Sequence, residues 1–388
     1  MKMSKKQREF WNNAGHRWNI KEGATRSGKT YLDYYWLAKR ITETRGEGLI
    51  VLLGNTRSTL ERNILTPMRG IWGKGAVSTI KSNGEAELFG KKCFILGADK
   101  ANQKERLQGA GIEYCYGDEI TTWNREVFEM LKSRLDKPHS CFDGTCNPDG
   151  PNHWLLEFMQ SGADVFRQSY TIYDNPFLSP EFVKNLEKEY EGSVYFDRYI
   201  LGKWTKAEGL VYPMFKREKH IFDDINNLAG DWYISIDYGT VNPTSMGLWC
   251  VKDGIAYRVR EYYHDSRKKE RQLTDEEYYD KLKKLAEGYP IRYVVIDPSA
   301  ASFITLIRKK GEFSTLKAKN DVTDGIRCVA SLINADRIMI HKSCRDSIRE
   351  FGEYSWDSKS SSDSVIKEND HAMDDIRYFS RTIMKRYY

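Results

Sequence analysis

The octapeptide Gly23-Ala-Thr-Arg26-Ser27-Gly28-Lys29-Thr30 fits the spacing G-x-x-x-x-G-K-[ST], and it constrains this chain more than any other feature. Such a loop has meaning only between a strand and a helix. Trp18-Asn-Ile20 supplies a short apolar lead-in that reads as a buried strand. Tyr31 to Ile41 carries apolar residues at Leu32, Tyr35, Trp36, Leu37 and Ala38, with Lys39 and Arg40 near its end, as a helix should. In that arrangement Gly23 and Gly28 let the backbone turn its N–H groups onto phosphates at a helix N-terminus, with Arg26 and Ser27 inside the cradle. Lys29 adds a point charge on the outer phosphates, and the Thr30 hydroxyl is placed to hold Mg²⁺. The expected ligand is ATP; a glycine-rich turn that carries Lys-Thr by chance is the plain alternative.

At 388 residues the chain has room for more than one core, and two domains is the simplest reading. Its formal net charge of +6 comes from 61 basic against 55 acidic side chains, a balance that permits nucleic acid without demanding it. Seven cysteines without a C-x-x-C pair, no secretory leader and no long apolar run point to a soluble protein of a reducing compartment, with no membrane segment. The cluster His139, Cys141, Cys146 and His153 has no standard zinc spacing.

Two textures divide the chain. From Trp18 to about Asn147, short apolar runs (Leu49 to Leu53, Cys93 to Leu96, Tyr114 to Tyr116) alternate with helical stretches, the pattern of a parallel sheet covered on both faces. A helical, aromatic and charged region follows from Trp154 to Trp204, and an irregular passage with Gly209, Pro213 and Gly230 connects to the rest. Beyond it come strands at Trp232 to Asp237, Thr244 to Val251 and Ile255 to Tyr263, the last two joined by a tight turn at Lys252-Asp-Gly254. A helix capped by Thr274 and a strand Tyr293 to Asp297 complete the opening order of a ribonuclease-H-like fold. The expected class is α/β: an N-terminal P-loop ATPase domain with a parallel-rich sheet over 1–205, a connection over 206–230, and a ribonuclease-H-like nuclease domain over 231–388. The polar run from Ser358 to Asp363 reads as a surface loop.

A P-loop needs an acidic group at the end of a neighbouring strand. Ile112 to Glu119 offers Asp118 for the metal and Glu119 as the base that positions water, although Glu113 and Gly117 interrupt the apolar run expected of a central strand. Thr145-Cys-Asn147 would end the next strand with polar groups facing the γ-phosphate. Gln7 has an amide able to pair with adenine, and an exposed helical Gln is the alternative. Arg26, Arg106 and Arg134 are candidates to stabilise transition-state charge.

A second constellation lies in the C-terminal half. Asp237 and Asp297 each end a strand and would project from one edge of one sheet. In the helix-like Asp370 to Tyr378, His371, Asp374 and Asp375 share a side at i, i+3 and i+4. Carboxylates converging from separate segments suit hard divalent cations able to cut a phosphodiester, while aspartates at strand ends are also common turn residues. Basic clusters at Arg267-Lys-Lys269 and Arg308-Lys-Lys310 are candidates for sequence-neutral phosphate contacts, a solvated charged face being the alternative.

Together these motifs resemble those of the large terminase subunit of tailed bacteriophages, over nearly the whole chain. The resemblance is carried by Gly23 to Thr30, Asp118-Glu119, Thr145-Cys-Asn147, Asp237 with Tyr-Gly after it, Asp297, and His371-Ala-Met-Asp374-Asp-Ile-Arg-Tyr378; the last selects Asp374 over Asp375 as metal ligand. It implies a motor that docks on the portal protein of a procapsid, drives double-stranded DNA inward with ATP and cuts the concatemer with Mg²⁺, for which Mn²⁺ can substitute. It further implies a homo-oligomeric ring on the portal formed from a free monomer, guidance by a small terminase subunit, and residence in the host cytoplasm rather than the mature virion. Two other readings share the P-loop: a helicase-like translocase with a catalytically silent second domain, and a nucleotide-gated scaffold.

Overall fold

The computed structural model describes residues 2–226, 228–239, 242–266, 271–360 and 363–387. The chain divides into two compact units, Met1–Val183 with Phe196–Lys206, and Lys184–Tyr195 with Ala207–Tyr388. Among the described residues no helix is long and apolar enough to cross a membrane, and all seven cysteines are free.

The first unit is built on strands β1 (Trp18–Gly23), β2 (Leu49–Gly54), β3 (Glu85–Leu88), β4 (Lys91–Gly97), β5 (Ile112–Gly117), β6 (Cys141–Cys146) and β7 (Val165–Tyr170), in the order β3-β4-β2-β5-β6-β1-β7. Every pairing is parallel except that of β3 with β4. Side chains alternate across the sheet, so each strand feeds two cores. Val51, Leu53 and Cys115 join Trp18, Phe128 and Phe142 on one face, and Ile50, Leu52, Tyr114 and Tyr116 join Leu37, Ile41 and Met68 on the other. β1 is longer than its apolar lead-in suggested, because Lys21 and Glu22 are buried with partners of their own. Lys21 pairs with Asp33 at 2.8 Å, and Glu22 with Arg167 at 2.7 Å. The stretch after Trp154 is less helical than its composition indicated, since β7 lies within it and pairs with β1 as the last strand of the sheet.

Both interruptions in β5 have a structural reason. Glu113 is buried, and its carboxylate accepts the N–H groups of Arg45, Gly46, Glu47 and Gly48, closing the turn that leads into β2. Burial opposes its ionisation, but those four donors outweigh it and lower its pKa. At Gly117 a β-carbon would stand 2.6 Å from Phe142 and 2.8 Å from Trp123, so the missing side chain is what lets those rings pack over the strand.

The second unit holds β8 (Ile221–Phe222), β9 (Asp231–Asp237), β10 (Thr244–Lys252), β11 (Ile255–His264), β12 (Ile291–Ile296), β13 (Thr315–Lys317) and β14 (Ile338–His341), ordered β13-β12-β9-β10-β11-β14-β8. The β9–β10 and β10–β11 pairings are antiparallel, whereas β12 runs parallel to β9. The β10–β11 turn has Asp253 and Gly254 at φ 52° and 75°, the left-handed pair that a two-residue hairpin requires. Thr274 caps the helix Asp275–Ala286 in a capping box with Glu277. Helix His371–Thr382 packs on β9, β10 and β12. Ser361 and Ser362 of the polar run, and the Arg267-Lys-Lys269 cluster, lie outside the described residues.

Candidate functional site

In the first unit, three adjacent strands deliver the site. β5, β6 and β1 are neighbours in the sheet, and each ends at the same edge, where ligands of α/β sheets bind. β1 runs into the P-loop, β5 into Asp118 and Glu119, and β6 into Asn147. Together they line a cleft of about 640 Å³ with Thr25 to Tyr31, Tyr34, Arg62 and Asn63.

The loop geometry follows from its two glycines. Gly23 has φ 128° and lies so close to β7 that a β-carbon would fall 2.0 Å from the Tyr170 carbonyl oxygen. Gly28, at φ 89°, is the left-handed residue from which the helix Lys29–Glu43 starts. The Lys29 ammonium donates to the carbonyls of Gly23 at 2.9 Å and Ala24 at 2.5 Å, and stands 3.3 Å from both Ser27 Oγ and Asn147 Oδ1. Burial lowers its pKa to about 8. Asp118 is buried and bonded by the Thr145 hydroxyl at 3.2 Å, and among the described residues no cationic side chain pairs with it. Burial, then the negative Glu119 and Asp33, push its pKa up to about 7. Glu119 is half-buried at the cleft, in a left-handed conformation with φ 50°.

Gln7 is neither exposed nor in the cleft. It is buried, its side-chain oxygen accepts the Ser4 N–H at 2.8 Å in a capping box, and its amide nitrogen donates to the Gly28 carbonyl at 2.8 Å. Of the arginines considered, only Arg26 lines the cleft; Arg106 and Arg134 do not. Arg62 and Asn63, which the sequence did not single out, do line it. They sit on a π-helical turn, Glu61–Leu65, a distortion frequent at functional sites. Asn63 hydrogen-bonds Asp118, and no short motif announces either residue. His139 lies 3.3 Å from Glu113, and His153 caps the helix Trp154–Met159, so the two histidines of the sequence cluster serve separate structures.

In the second unit, Asp237 ends β9 and Asp297 directly follows β12, the parallel neighbour of β9, so both leave one sheet edge. His371 Nδ1 stands 2.8 Å from Asp237 Oδ2. Burial, only partly offset by His371 and reinforced by the nearby Asp374, raises Asp237 to about 6. Burial also opposes charge on His371, but Asp237 outweighs it and raises the imidazole pKa. Asp297 accepts the Ser299 N–H at 2.7 Å and the Asn320 amide at 3.1 Å; these and the Tyr378 hydroxyl overcome its burial and lower its pKa. Asp374 pairs with Arg377 at 2.5 Å. Among the described residues no group of three or more His, Cys, Asp or Glu is gathered to hold a metal.

The shared helix face predicted for His371, Asp374 and Asp375 separates in space. Asp375 turns into the core, where it is fully buried against Arg258, Ser235 and Ser245. Glu350 was missed as well: buried, with its pKa raised to about 7 chiefly by that burial, it accepts the N–H groups of Ala372 and Met373 and anchors the start of the helix that carries His371.

Residues 20–219 match the family described as terminase large subunit, T4likevirus-type, N-terminal, and residues 234–381 match the terminase RNaseH-like domain. The chain is similar to the large terminase of a thermophilic bacteriophage in complex with ADP, at 32% identity and a TM-score of 0.88, covering 98% of this chain and 100% of that one. The same phage protein in complex with ATP-γ-S gives a TM-score of 0.87 at 32% identity, over 99% of this chain and 100% of that one. The large terminase subunit of Escherichia phage T5 is 24% identical over 380 residues, 91% of this chain and 84% of its own length.

Proposed function

Because the chain belongs to the terminase large-subunit family, whose members are DNA-packaging subunits with ATPase and ribonuclease-H-like domains, we propose that it hydrolyses ATP to drive double-stranded viral DNA into a procapsid and cuts concatemeric DNA by metal-dependent endonuclease action. Its partners on this reading are the DNA, the portal protein, the small terminase subunit and further copies of itself in a ring, in the host cytoplasm. The observation that carries the reading is the meeting of Lys29, Asp118, Glu119 and Asn147 in one cleft from three neighbouring strand ends.

Lys29 would exchange its carbonyl partners for the outer phosphates, whose negative charge restores the ammonium against its burial. Thr145 and Asn63 fix the Asp118 carboxylate, and Glu119 is placed to orient the attacking water. The buried Asp118 without a cationic partner is a hard oxygen donor of the kind Mg²⁺ takes, and it would hold that ion together with Thr30. In the second unit Asp237, Asp297 and Asp374, with His371 beside Asp237, have the right donor chemistry for Mg²⁺ or Mn²⁺. Each is held by a protein partner that the ion must displace. When bound, such ions neutralise phosphate charge and polarise the bond to be broken.

Lys29→Ala is expected to abolish DNA-stimulated phosphate release, and an unchanged rate would remove the motor reading. Plasmid incubated with Mn²⁺ is expected to be cut by the intact chain but not by Asp297→Ala or Asp374→Asn. Undiminished cutting by both variants would overturn the nuclease assignment, and no cutting by the intact chain would leave a translocase with a silent second domain.

A further inference from the structure

Several cationic side chains of the second unit are neutralised in pairs, among them Lys219 with Asp336 at 2.7 Å and Arg292 with Asp231 at 2.5 Å. Lys310, in the basic cluster visible in the sequence, lies 2.8 Å from Glu276, and Arg308 Nε donates to Thr315 Oγ1 at 3.1 Å. One place differs. Arg217, Lys342, Arg345 and Arg349 line a cleft of about 570 Å³ in which Glu353 is the sole carboxylate among the lining residues described. The guanidinium groups of Arg217 and Arg345 have no hydrogen bond or ion pair among the described residues. Lys342 meets Asp223 only at an exposed surface, with the two side chains 61% and 68% accessible, where such a pair is weak and screened. Arg349 is instead held in place by Asp346 at 3.1 Å and the buried Glu350 at 3.2 Å.

The location of this cleft gives it a meaning. Arg349 stacks over the Tyr263 ring at 5.5 Å. Tyr263 pairs across β11–β10 with Ser245, which pairs across β10–β9 with Asp237. Two strand spacings, about 10 Å in all, separate the backbones of Tyr263 and Asp237. The helix Arg345–Phe351 that carries two of these arginines also bears Glu350, the anchor of the helix with His371 and Asp374.

We propose that this cleft is a phosphate-binding groove that holds the backbone of duplex DNA beside the nuclease carboxylates, a role that rests on the cutting function proposed above. Guanidinium and ammonium groups over a floor of Ile348 and Gly352 can grip phosphate oxygens, yet among the described residues no Asn or Gln lines the groove to read base edges. Such a contact suits an enzyme that must accept any sequence passing it. The groove escapes inspection of the sequence because Arg217, in the basic stretch Lys216 to His220, and Arg345 are far apart in the chain and only the fold brings them to one cleft.

The test is binding of a fluorescein-labelled 30-base-pair duplex to the full chain in EDTA, where nothing is cut, as a function of salt. Arg217→Ala/Arg345→Ala is expected to make the slope of log K against log[salt] shallower by about 1.8, and at about 0.1 M salt to weaken binding by tens-fold, as for two lost phosphate contacts. Lys281→Ala/Lys284→Ala, two exposed cations on the helix Asp275–Ala286, removes the same charge and should leave the slope unchanged. A slope in the arginine variant equal to that of the intact chain overturns the groove, and so does an equal fall in both variants, which would mean a diffuse charge effect. With Mn²⁺, the arginine variant should cut plasmid with raised KM and retained kcat. Because the binding arm needs no cleavage, failure of the nuclease reading shows separately, as an intact chain that binds but does not cut.

Discussion

Replacing Asp375 by alanine separates the two adjacent acids of the C-terminal helix. Asp375 and Arg258 are both fully buried, and Arg258 donates to both carboxylate oxygens, at 2.5 and 2.9 Å. The Ser235 hydroxyl adds a bond at 2.9 Å, and the Trp249 indole N–H bonds that hydroxyl at 2.8 Å. Removing the carboxylate leaves the buried guanidinium with only the more distant Glu261, at 3.8 Å, as an anionic partner among the described residues, at a cost of about 3–5 kcal/mol, a large part of the roughly 5–15 kcal/mol that holds a domain together. Among the described residues no cationic side chain sits on Asp297, so Asp297→Asn should cost about 1.5–3 kcal/mol, the loss of hydrogen bonds to a charged acceptor, while stopping DNA cleavage. Urea unfolding followed by circular dichroism measures both, and ATP hydrolysis reports whether the first unit survives. The double change Asp375→Leu/Arg258→Met should recover most of the loss, because removing both charges removes the desolvation penalty with them. A cost below about 1 kcal/mol for Asp375→Ala, or a double variant no more stable than the single one, would refute the claim that Asp375 is a scaffold residue.

Three further outcomes follow from the first unit. Asp118 has a pKa near 7 in the folded chain against an ordinary value of 3.8, so its contribution is fully present below about pH 4 and is lost as pH rises through 7. Asp118→Asn should therefore match the intact chain near pH 4 and exceed it in melting experiments at pH 8.5 by up to about 4 kcal/mol; an equal pH profile in both would show the carboxyl to be unperturbed. Gly117→Ala forces a methyl against Phe142 and Trp123 and should destabilise by about 1–3 kcal/mol, seen as a lower Tm, with an unchanged Tm disproving tight packing there. Gln7→Ala frees the Gly28 carbonyl and removes half of a capping box, so it should raise KM for ATP several-fold and lower Tm slightly; a variant with lost discrimination between ATP and GTP and an unchanged Tm would instead make Gln7 a reader of adenine.

The fold was legible where its pattern is local. The P-loop, the Asp253-Gly254 hairpin and the Thr274 cap each depend on residues within a few positions of one another. β7 and the short strands β3, β8, β13 and β14 were not legible, because strands of two to six residues carry too little periodicity to stand out in a charged, aromatic stretch. The polar half of β1 was hidden for a related reason. Lys21 and Glu22 look like surface residues until Asp33 and Arg167, distant in sequence, are brought to them.

The same argument decides what could be known of the sites. Glu113 and Asp118 lie on one strand and its end, and Asp374 and Asp375 are adjacent on one helix, yet within each pair the proposed function uses one acid while the other serves the fold. The resemblance to the family motif favours Asp374 over Asp375, but nothing in the chemistry of the immediate neighbours explains either choice. The separation comes from the partner supplied across the fold: four backbone N–H groups for Glu113 and a buried guanidinium for Asp375, against hydroxyl and amide groups alone for Asp118. A carboxylate that the protein has already neutralised has less to offer a cation, whereas one held at a raised pKa by burial and by nearby negative charge gains most when a cation arrives. By that criterion Asp118 is the strongest candidate ligand in the first unit; Asp237, at a pKa near 6, follows in the second once its bond to His371 is released. Asp374, tied to Arg377, has to give up a partner before it can join.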